Sequence, residues 1–523
     1  MKPGEQSAVK QSRVLSTGWL AGLSIGVFVF AAIKLLVHLY ANRYYGYFVD
    51  ELYYLACSDH LDWGYVDQPP LIALVTRIVR WLLGDSLSAI RLIPALAGAI
   101  KVFLTGVTAR ELGGQRFAQM LAAVAVLVAP GFLGVDNFLS MNSLEALLWT
   151  ACAFVVIRII KTGNQKLWLW FGILSGIGLE NKHSMLIFGA AIVAGLLLTP
   201  QRRLLLTPSA CIGGLIALLF FLPNLVWNIQ HHFPFLELQA NIRQSGRNVD
   251  FTPLSFFGQQ ALSLLPPTLP IWLGGLWFYL FSKPGEPFRA LGWAWVLIAA
   301  VILVLDPRVY YLWPAYPMLF AAGGVMCESW LRSPGLRWVQ IAYLVVLVIT
   351  GVVFAPFALP VLPVEIYIRY AEALHMQQPA IERHKLGPLP QLFADQFGWE
   401  EMVKTVADVY NRLPTEVRAK TAIFGQNYGQ AGAIDFFGQK YGLPKAISGH
   451  QNYFYWGPRD FTGESMIVMD DSEQQLDELF ASVTKVASVN HPYSMPYQHF
   501  DVFYCRDLKW PLKELWPRIK NWH

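Results

Sequence analysis

The chain has 523 residues, of which 55 % are hydrophobic and 14 % charged, and its formal net charge is +5. A mean hydropathy of +0.40 excludes an ordinary soluble multidomain protein, and the thin spread of Lys and Arg excludes a nucleic-acid partner. The five cysteines (Cys57, Cys152, Cys211, Cys327 and Cys505) show neither CxxC nor Cys/His spacing, so no metal site is expected.

From the N-terminus, MKPGEQSAVKQSR precedes an apolar run with no small-residue cleavage pattern behind it, which reads as a retained anchor helix. A crossing needs roughly 20 apolar residues. On that ruler about eleven spans are expected: 17–40, 87–108, 117–136, 141–160, 166–181, 184–200, 205–226, 255–281, 288–305, 309–327 and 336–357. Around Glu180-Asn181-Lys182-His183 a re-entrant hairpin fits nearly as well as two short spans. Alternate loops hold Lys2/Lys10/Arg13, Arg110/Arg116, Arg158/Lys161/Lys166, Arg202/Arg203, Lys283/Arg289 and Arg332/Arg337, which marks that side as cytoplasmic.

Three long segments are then expected outside: 41–86, 228–253, and everything after about 360. The chain divides into a membrane module (1–360) and a soluble α/β domain (361–523). In the latter, FADQFGWEEMVKTVADVYNRL has helical spacing, TAIFG, ESMIVMD and DVFYCRD read as strands, and QAGAIDFFGQKYG reads as a helix. Ser472 with Gln475 resembles a capping box opening an amphipathic helix over SEQQLDELFASV. Cys57 and Cys505 both fall outside, where a disulfide is permitted.

The first outer loop carries Asp50, Glu51, Asp59, Asp62 and Asp67 among aromatics. Asp59 and Asp62 read as solvated surface charge. Asp50 and Glu51 lie close to the first span beside Tyr44, Tyr45, Tyr47, Phe48, Tyr53 and Tyr54, where a carboxylate is desolvated or paired and its raised proton affinity suits a general base. Gln68-Pro69-Pro70 starts a helix and fixes Asp67 at the mouth of the site. GVDNFLSMNSLEALLW brings Asp136, Asn142 and Glu145 to the same leaflet. Glu145, about one turn into an apolar helix, faces protein or water. Lys182 and Arg308 stand at outer ends of spans, at the depth of a lipid-borne phosphate.

In order, Asp50-Glu51, Asp67-Gln-Pro-Pro-Leu, Lys182 after GILSGIGLENK, and Arg308-Val-Tyr-Tyr-Leu-Trp-Pro-Ala-Tyr-Pro resemble the bacterial family 39 membrane glycosyltransferases. These are GT-C relatives of protein O-mannosyltransferases and of the lipid A aminoarabinose transferase. NYGQAGAIDFFG and LPKAISGHQNYFYWGP look like the soluble domain of bacterial members. The chain departs from the pattern at Gln68, where aminoarabinose transferases carry Lys, at Asn142, where many members carry a second acid, and at Arg308, which replaces a Lys. The resemblance implies a polytopic α-helical GT-C fold with a C-terminal periplasmic α/β domain, in the bacterial inner membrane. It implies a polyprenyl-phosphate (undecaprenyl-phosphate) monosaccharide as donor, and a glycan, lipid or protein acceptor attacked through its hydroxyl with inversion. Asp50 would be the base, with Glu51 and Asp67 as catalytic helpers. Lys182, Arg308 and Tyr310 would bind the donor phosphate, and Gln68, Asp136, Asn142, Glu145 and His183 the substrates. No cofactor is required, although a divalent cation is compatible with the scheme.

Two other classes fit the hydropathy. A lipid or glycan transporter or flippase predicts ionisable residues at mid-span and internal repeats. A non-catalytic scaffold would make Asp50 dispensable. The aromatic NYFYWGP reads either as packing within the α/β domain or as an acceptor platform.

Overall fold

A computed structural model describes residues 22–246, 248–305, 308–376, 385, 387–470 and 472–523. Lys2, Lys10, Arg13 and the start of the expected first span lie outside the described residues. The membrane module contains α1 (Ile25–Ala41), α2 (Val49–Asp59), α3 (Leu71–Leu83), α4 (Leu92–Glu111), α5 (Arg116–Val128), α6 (Pro130–Val135), α7 (Met141–Thr162), α8 (Leu167–Asn181), α9 (Met185–Leu197), α10 (Pro208–Gln230), α11 (Pro234–Ser245), α12 (Pro253–Ser263), α13 (Leu269–Phe281), α14 (Arg289–Val304), α15 (Tyr316–Trp330) and α16 (Arg337–Phe354).

Among the described residues, five helices are long and apolar enough to cross a membrane, or up to seven if each of two bent pairs is one span. The four other expected crossings fall on α1, α5, α8 and α15, helices of 17, 13, 15 and 15 residues. The expected span 255–281 is not one rod. α12 and α13 meet at 101°, because Pro266 and Pro267 lack the N–H groups that would continue the helix and Leu265 turns back with φ of 75°. α9 likewise bends by 119° into a 3₁₀ turn. Close helix crossings use small residues: a Cβ at Gly172 of α8 would lie 2.2 Å from the Gly213 carbonyl oxygen of α10.

Inside the bundle the Asp136 carboxylate lies 2.9 Å from Lys34 Nζ and 2.8 Å from Lys101 Nζ, all three side chains fully buried. Lys34 Nζ also donates to the Phe132 carbonyl at 3.0 Å. One carboxylate thus ties α1 and α4 to the segment after α6. The expected substrate-binding role of Asp136 is corrected here, since both its oxygens face lysines and none of its surface is open.

In the first loop, Pro70 starts α3 as expected. This helix buries Ile72, Ala73, Thr76 and Val79 and exposes Leu74, Ile78, Trp81 and Leu82. Such an amphipathic segment fits a membrane-water boundary.

The C-terminal unit contains α17 (Trp399–Arg412), β1 (Thr421–Phe424), α18 (Tyr428–Phe437), β2 (Ser465–Asp470), β3 (Phe480–Val489) and β4 (Phe500–Leu508). The strands form one sheet in the order β1-β2-β4-β3, with β1 parallel to β2 and the other pairs antiparallel. The expected helix over SEQQLDELFASV stops at Leu479. The β-branched run beyond it pairs with β4, and tertiary pairing overrides the local helical pattern. Ser472 precedes that helix, but its side chain makes no capping hydrogen bond. Cys57 and Cys505 are unbonded and sit in different apolar clusters.

α18 lies directly on α2. A Cβ at Gly432 would come within 2.8 Å of the Leu52 carbonyl oxygen, and one at Gly429 within 2.5 Å of Val49. One apolar cluster runs from Leu52, Tyr54 and Ile72 through Trp399, Ile434 and Ile467. The first loop and the C-terminal unit therefore share a core.

Replacing Asp136 with Asn leaves two buried lysines without a counter-charge, and about 3 to 5 kcal/mol of stability is lost. Thermal unfolding of the detergent-purified variant against the parent measures this.

Candidate functional site

Asp50 and Glu51 are adjacent in the first turn of α2, so their side chains leave the helix in different directions. Glu51 turns inward and is fully buried. It accepts from Arg91 Nε at 2.9 Å and Arg91 Nη2 at 2.7 Å, and from the backbone N–H groups of Phe48 and Leu139 at 2.8 Å each. Its expected catalytic role is corrected: four donors surround a carboxylate closed to substrate, and Glu51 instead anchors the turn that carries Asp50. Asp50 points the other way, and its Oδ1 accepts from the Tyr428 hydroxyl at 2.8 Å.

Asp67 follows α2 in the first loop, and the charge of Asp50 acts on it. The Tyr53 hydroxyl donates to Asp67 Oδ1 at 3.0 Å. Burial, opposed in part by that hydrogen bond, pushes the Asp67 carboxyl up to about 7. Tyr54, on the same helix as Asp50, is buried. Its hydroxyl is driven well above its ordinary range by burial, then by the charges of Asp50 and Asp67, with Tyr310 also contributing. The neighbouring Gln68 does not reach the site. Its side chain is fully buried, with Nε2 3.9 Å from Cys57 Sγ, so its expected substrate contact is corrected.

On the facing side, α8 ends at Asn181 and Lys182 adopts an extended backbone before α9 begins. Lys182 Nζ donates to Asn142 Oδ1 and to Glu145 Oε2, each at 2.8 Å. It also lies 5.3 Å from the ring centre of Tyr310 and 5.2 Å from that of Tyr311. Ser184 donates to the other Glu145 oxygen. The carboxylate sequence reasoning found awkward in an apolar helix is thus fully paired. Arg308 donates through Nε to Asn248 Oδ1 at 2.9 Å.

His183 turns away from Lys182. Its Nε2 is 3.2 Å from Asn224 Oδ1, and its ring packs on Phe235 at 4.9 Å. Asn224 in turn donates to the Trp63 carbonyl at 2.8 Å, so His183 braces the first loop. Asp62 accepts from Trp227 Nε1 at 2.9 Å and Asp59 pairs with Arg80 at 2.8 Å, so both are bound rather than merely solvated. NYFYWGP packs across the seam: Asn452 Oδ1 accepts from the Val66 N–H at 2.7 Å, and Trp456 stacks on His60 at 4.4 Å.

Sequence reasoning missed Arg91, Tyr53, Tyr54, Tyr428 and His450. Arg91 and Tyr428 are 40 and 378 residues from their partners, and nothing local in the sequence links them. Among the described residues, no group of three or more His, Cys, Asp or Glu is placed to hold a metal ion.

Comparison with known proteins agrees with this architecture. The family model described as dolichyl-phosphate-mannose-protein mannosyltransferase matches residues 67–227. The lipid A galacturonosyltransferase RgtD of Rhizobium johnstonii is 25 % identical over 305 residues, which is 56 % of this chain and 61 % of that protein's length. The crystal structure of ArnT from Cupriavidus metallidurans bound to undecaprenyl phosphate superposes with a TM-score of 0.60 at 14 % identity, covering 94 % of this chain and 98 % of that one. The arabinofuranosyltransferase AftD from Mycobacteria gives a TM-score of 0.53 at 13 % identity, over 92 % of this chain and 40 % of that one. These likenesses show the fold, which is that of the ArnT structure.

Asp67 binds its proton more tightly folded than unfolded, its carboxyl lying at about 7 rather than 3.8. Its contribution to stability is therefore full below pH 4 and is lost as pH rises through about 7. The unfolding midpoint measured from pH 4 to 8 falls more steeply in the parent than in Asp67→Asn.

Proposed function

We propose that the protein is an integral membrane glycosyltransferase that moves a monosaccharide from a polyprenyl-phosphate donor to an acceptor hydroxyl at the periplasmic face of the bacterial inner membrane. The observation that carries this reading is a pair of built half-sites, with Asp50 held by Tyr428 and Asp67 by Tyr53 in one, and Lys182 held by Asn142 and Glu145 beside the Tyr310 and Tyr311 rings in the other. The undecaprenyl phosphate bound by the similarly folded ArnT supports the donor class, and the lipid A sugar transferase RgtD supports a glycan or lipid acceptor.

In this scheme the acceptor oxygen attacks the anomeric carbon as the bond to the phosphate oxygen breaks, through an oxocarbenium-like state. The acceptor's proton passes to Asp50, and the polyprenyl phosphate leaves with the bonding electron pair. Lys182 and Arg308 offset the charge developing on that phosphate. Lys182 already has Glu145 as counter-ion at 2.8 Å, so it is held in place before the donor arrives and has no reorganisation to complete. Attack from the side opposite the phosphate inverts the anomeric centre. No cofactor enters the scheme.

The transporter reading has less support. It calls for mid-span charges along an open path, whereas Lys34, Lys101 and Asp136 are sealed from solvent.

Transfer of labelled sugar from polyprenyl phosphate, measured in membranes carrying Asp50→Asn, falls by about 10²-fold or more. Undiminished transfer in that variant removes Asp50 as base.

A further inference from the structure

We infer that Tyr428, a residue of the C-terminal domain, is a positioning residue for the first-loop carboxylate Asp50. The inference rests on the reading of Asp50 as the base.

The residues around Tyr428 hold it in one orientation. Asn427 caps α18, its Oδ1 accepting from the Gln430 N–H at 3.0 Å, which sets where the helix begins. The Tyr428 backbone N–H donates to His450 Nδ1 at 3.0 Å. The Tyr428 and His450 rings stack at 4.9 Å with only 5° between their planes, and the Tyr53 ring packs on Tyr428 at 4.8 Å. With backbone and ring both held, the hydroxyl has a fixed place, and there it donates to Asp50 Oδ1 at 2.8 Å. Gly429, the next residue, lies against Val49, where a Cβ would come within 2.5 Å. α18 therefore packs closely on the turn of α2 that carries Asp50.

The chemical consequence follows from which form of the acid the bond favours. A hydroxyl donating to a carboxylate stabilises the charged form and lowers its proton affinity. Asp67, from the loop before α3, acts in the opposite sense through like charge, and among the described residues Tyr53, Tyr54 and Cys57 of α2 and Tyr310 are further titratable groups here. Tyr428 sets the orientation in which Asp50 meets the acceptor hydroxyl and keeps it ionised. The C-terminal domain thus builds part of the reacting site.

Tyr428→Phe in the full-length membrane-embedded protein keeps both ring contacts and the bond to His450 and removes only the hydroxyl. With a labelled polyprenyl-phosphate sugar as probe, kcat falls about 10-fold or more, the loss of a hydrogen bond to a charged group, while the donor KM stays within about twofold of the parent. The acid limb of the kcat profile moves to higher pH, because Asp50 holds its proton more tightly without the donor. Adding Tyr428→Phe to Asp50→Asn produces no further loss. If Tyr428→Phe does not accumulate, His450→Phe keeps a stacked ring, removes the nitrogen that holds the Tyr428 backbone, and moves the same two readouts in the same direction. A Tyr428→Phe protein with parental kcat and an unmoved acid limb overturns the inference while leaving an inactive Asp50→Asn to support the base. Full transfer by Asp50→Asn overturns the base reading itself.

Discussion

The closure of Arg91 on Glu51 is the interaction on which the rest of the site depends. Two nitrogens of one guanidinium meet both oxygens of one carboxylate at 2.9 and 2.7 Å, with neither side chain open to solvent. The remaining lone pairs of Glu51 take the N–H groups of Phe48 and Leu139, and Arg91 also donates to the Gly46 carbonyl at 2.9 Å. The start of α2, the start of α4 and the loop before α7 therefore meet at one buried pair. A buried ion pair adds little net stability over an apolar equivalent, but it is intolerant of losing one partner. It specifies register, holding Asp50 one residue away at a set place above the bundle.

The buried charges repeat this logic at different depths. Asp136 between two lysines locks α1 and α4 to the segment leading into α7, and Glu145 on α7 holds Lys182. Deep in the bundle the charges are fully compensated and closed. At its mouth, Lys182 remains partly exposed at 17 % of its side chain while Glu145 is buried at 3 %. The same pairing chemistry is structural where water is excluded and available to an anionic ligand where it is not.

The C-terminal domain supplies the other constraint. Its helix α18 approaches α2 at two glycines, and the aromatic column of Tyr53, Tyr428 and His450 stands beside the two acids. The acids therefore sit in a partly desolvated seam between two parts of one core, which gives Asp67 its proton near neutral pH.

Sequence alone determined the membrane character, the positions of the apolar helices and the α/β pattern of the C-terminal domain. All of these follow from composition, period and local context. It showed that Glu145, a carboxylate in an apolar helix, must face protein or water, and the structure supplies Lys182 as its partner. The bend at Leu265 was legible in its Pro-Pro pair but hidden by continuous hydropathy. Only the tertiary structure decided the roles of neighbouring residues with the same charge: Glu51 became an anchor and Asp50 the half-buried acid bound by Tyr428, Asp136 a buried tie and Glu145 a counter-ion. The physical reason is that a side chain's role depends on which donors reach it and how much water remains. Those donors, Arg91 for Glu51 and Tyr428 for Asp50, come from 40 and 378 residues away, brought together by packing rather than by pattern.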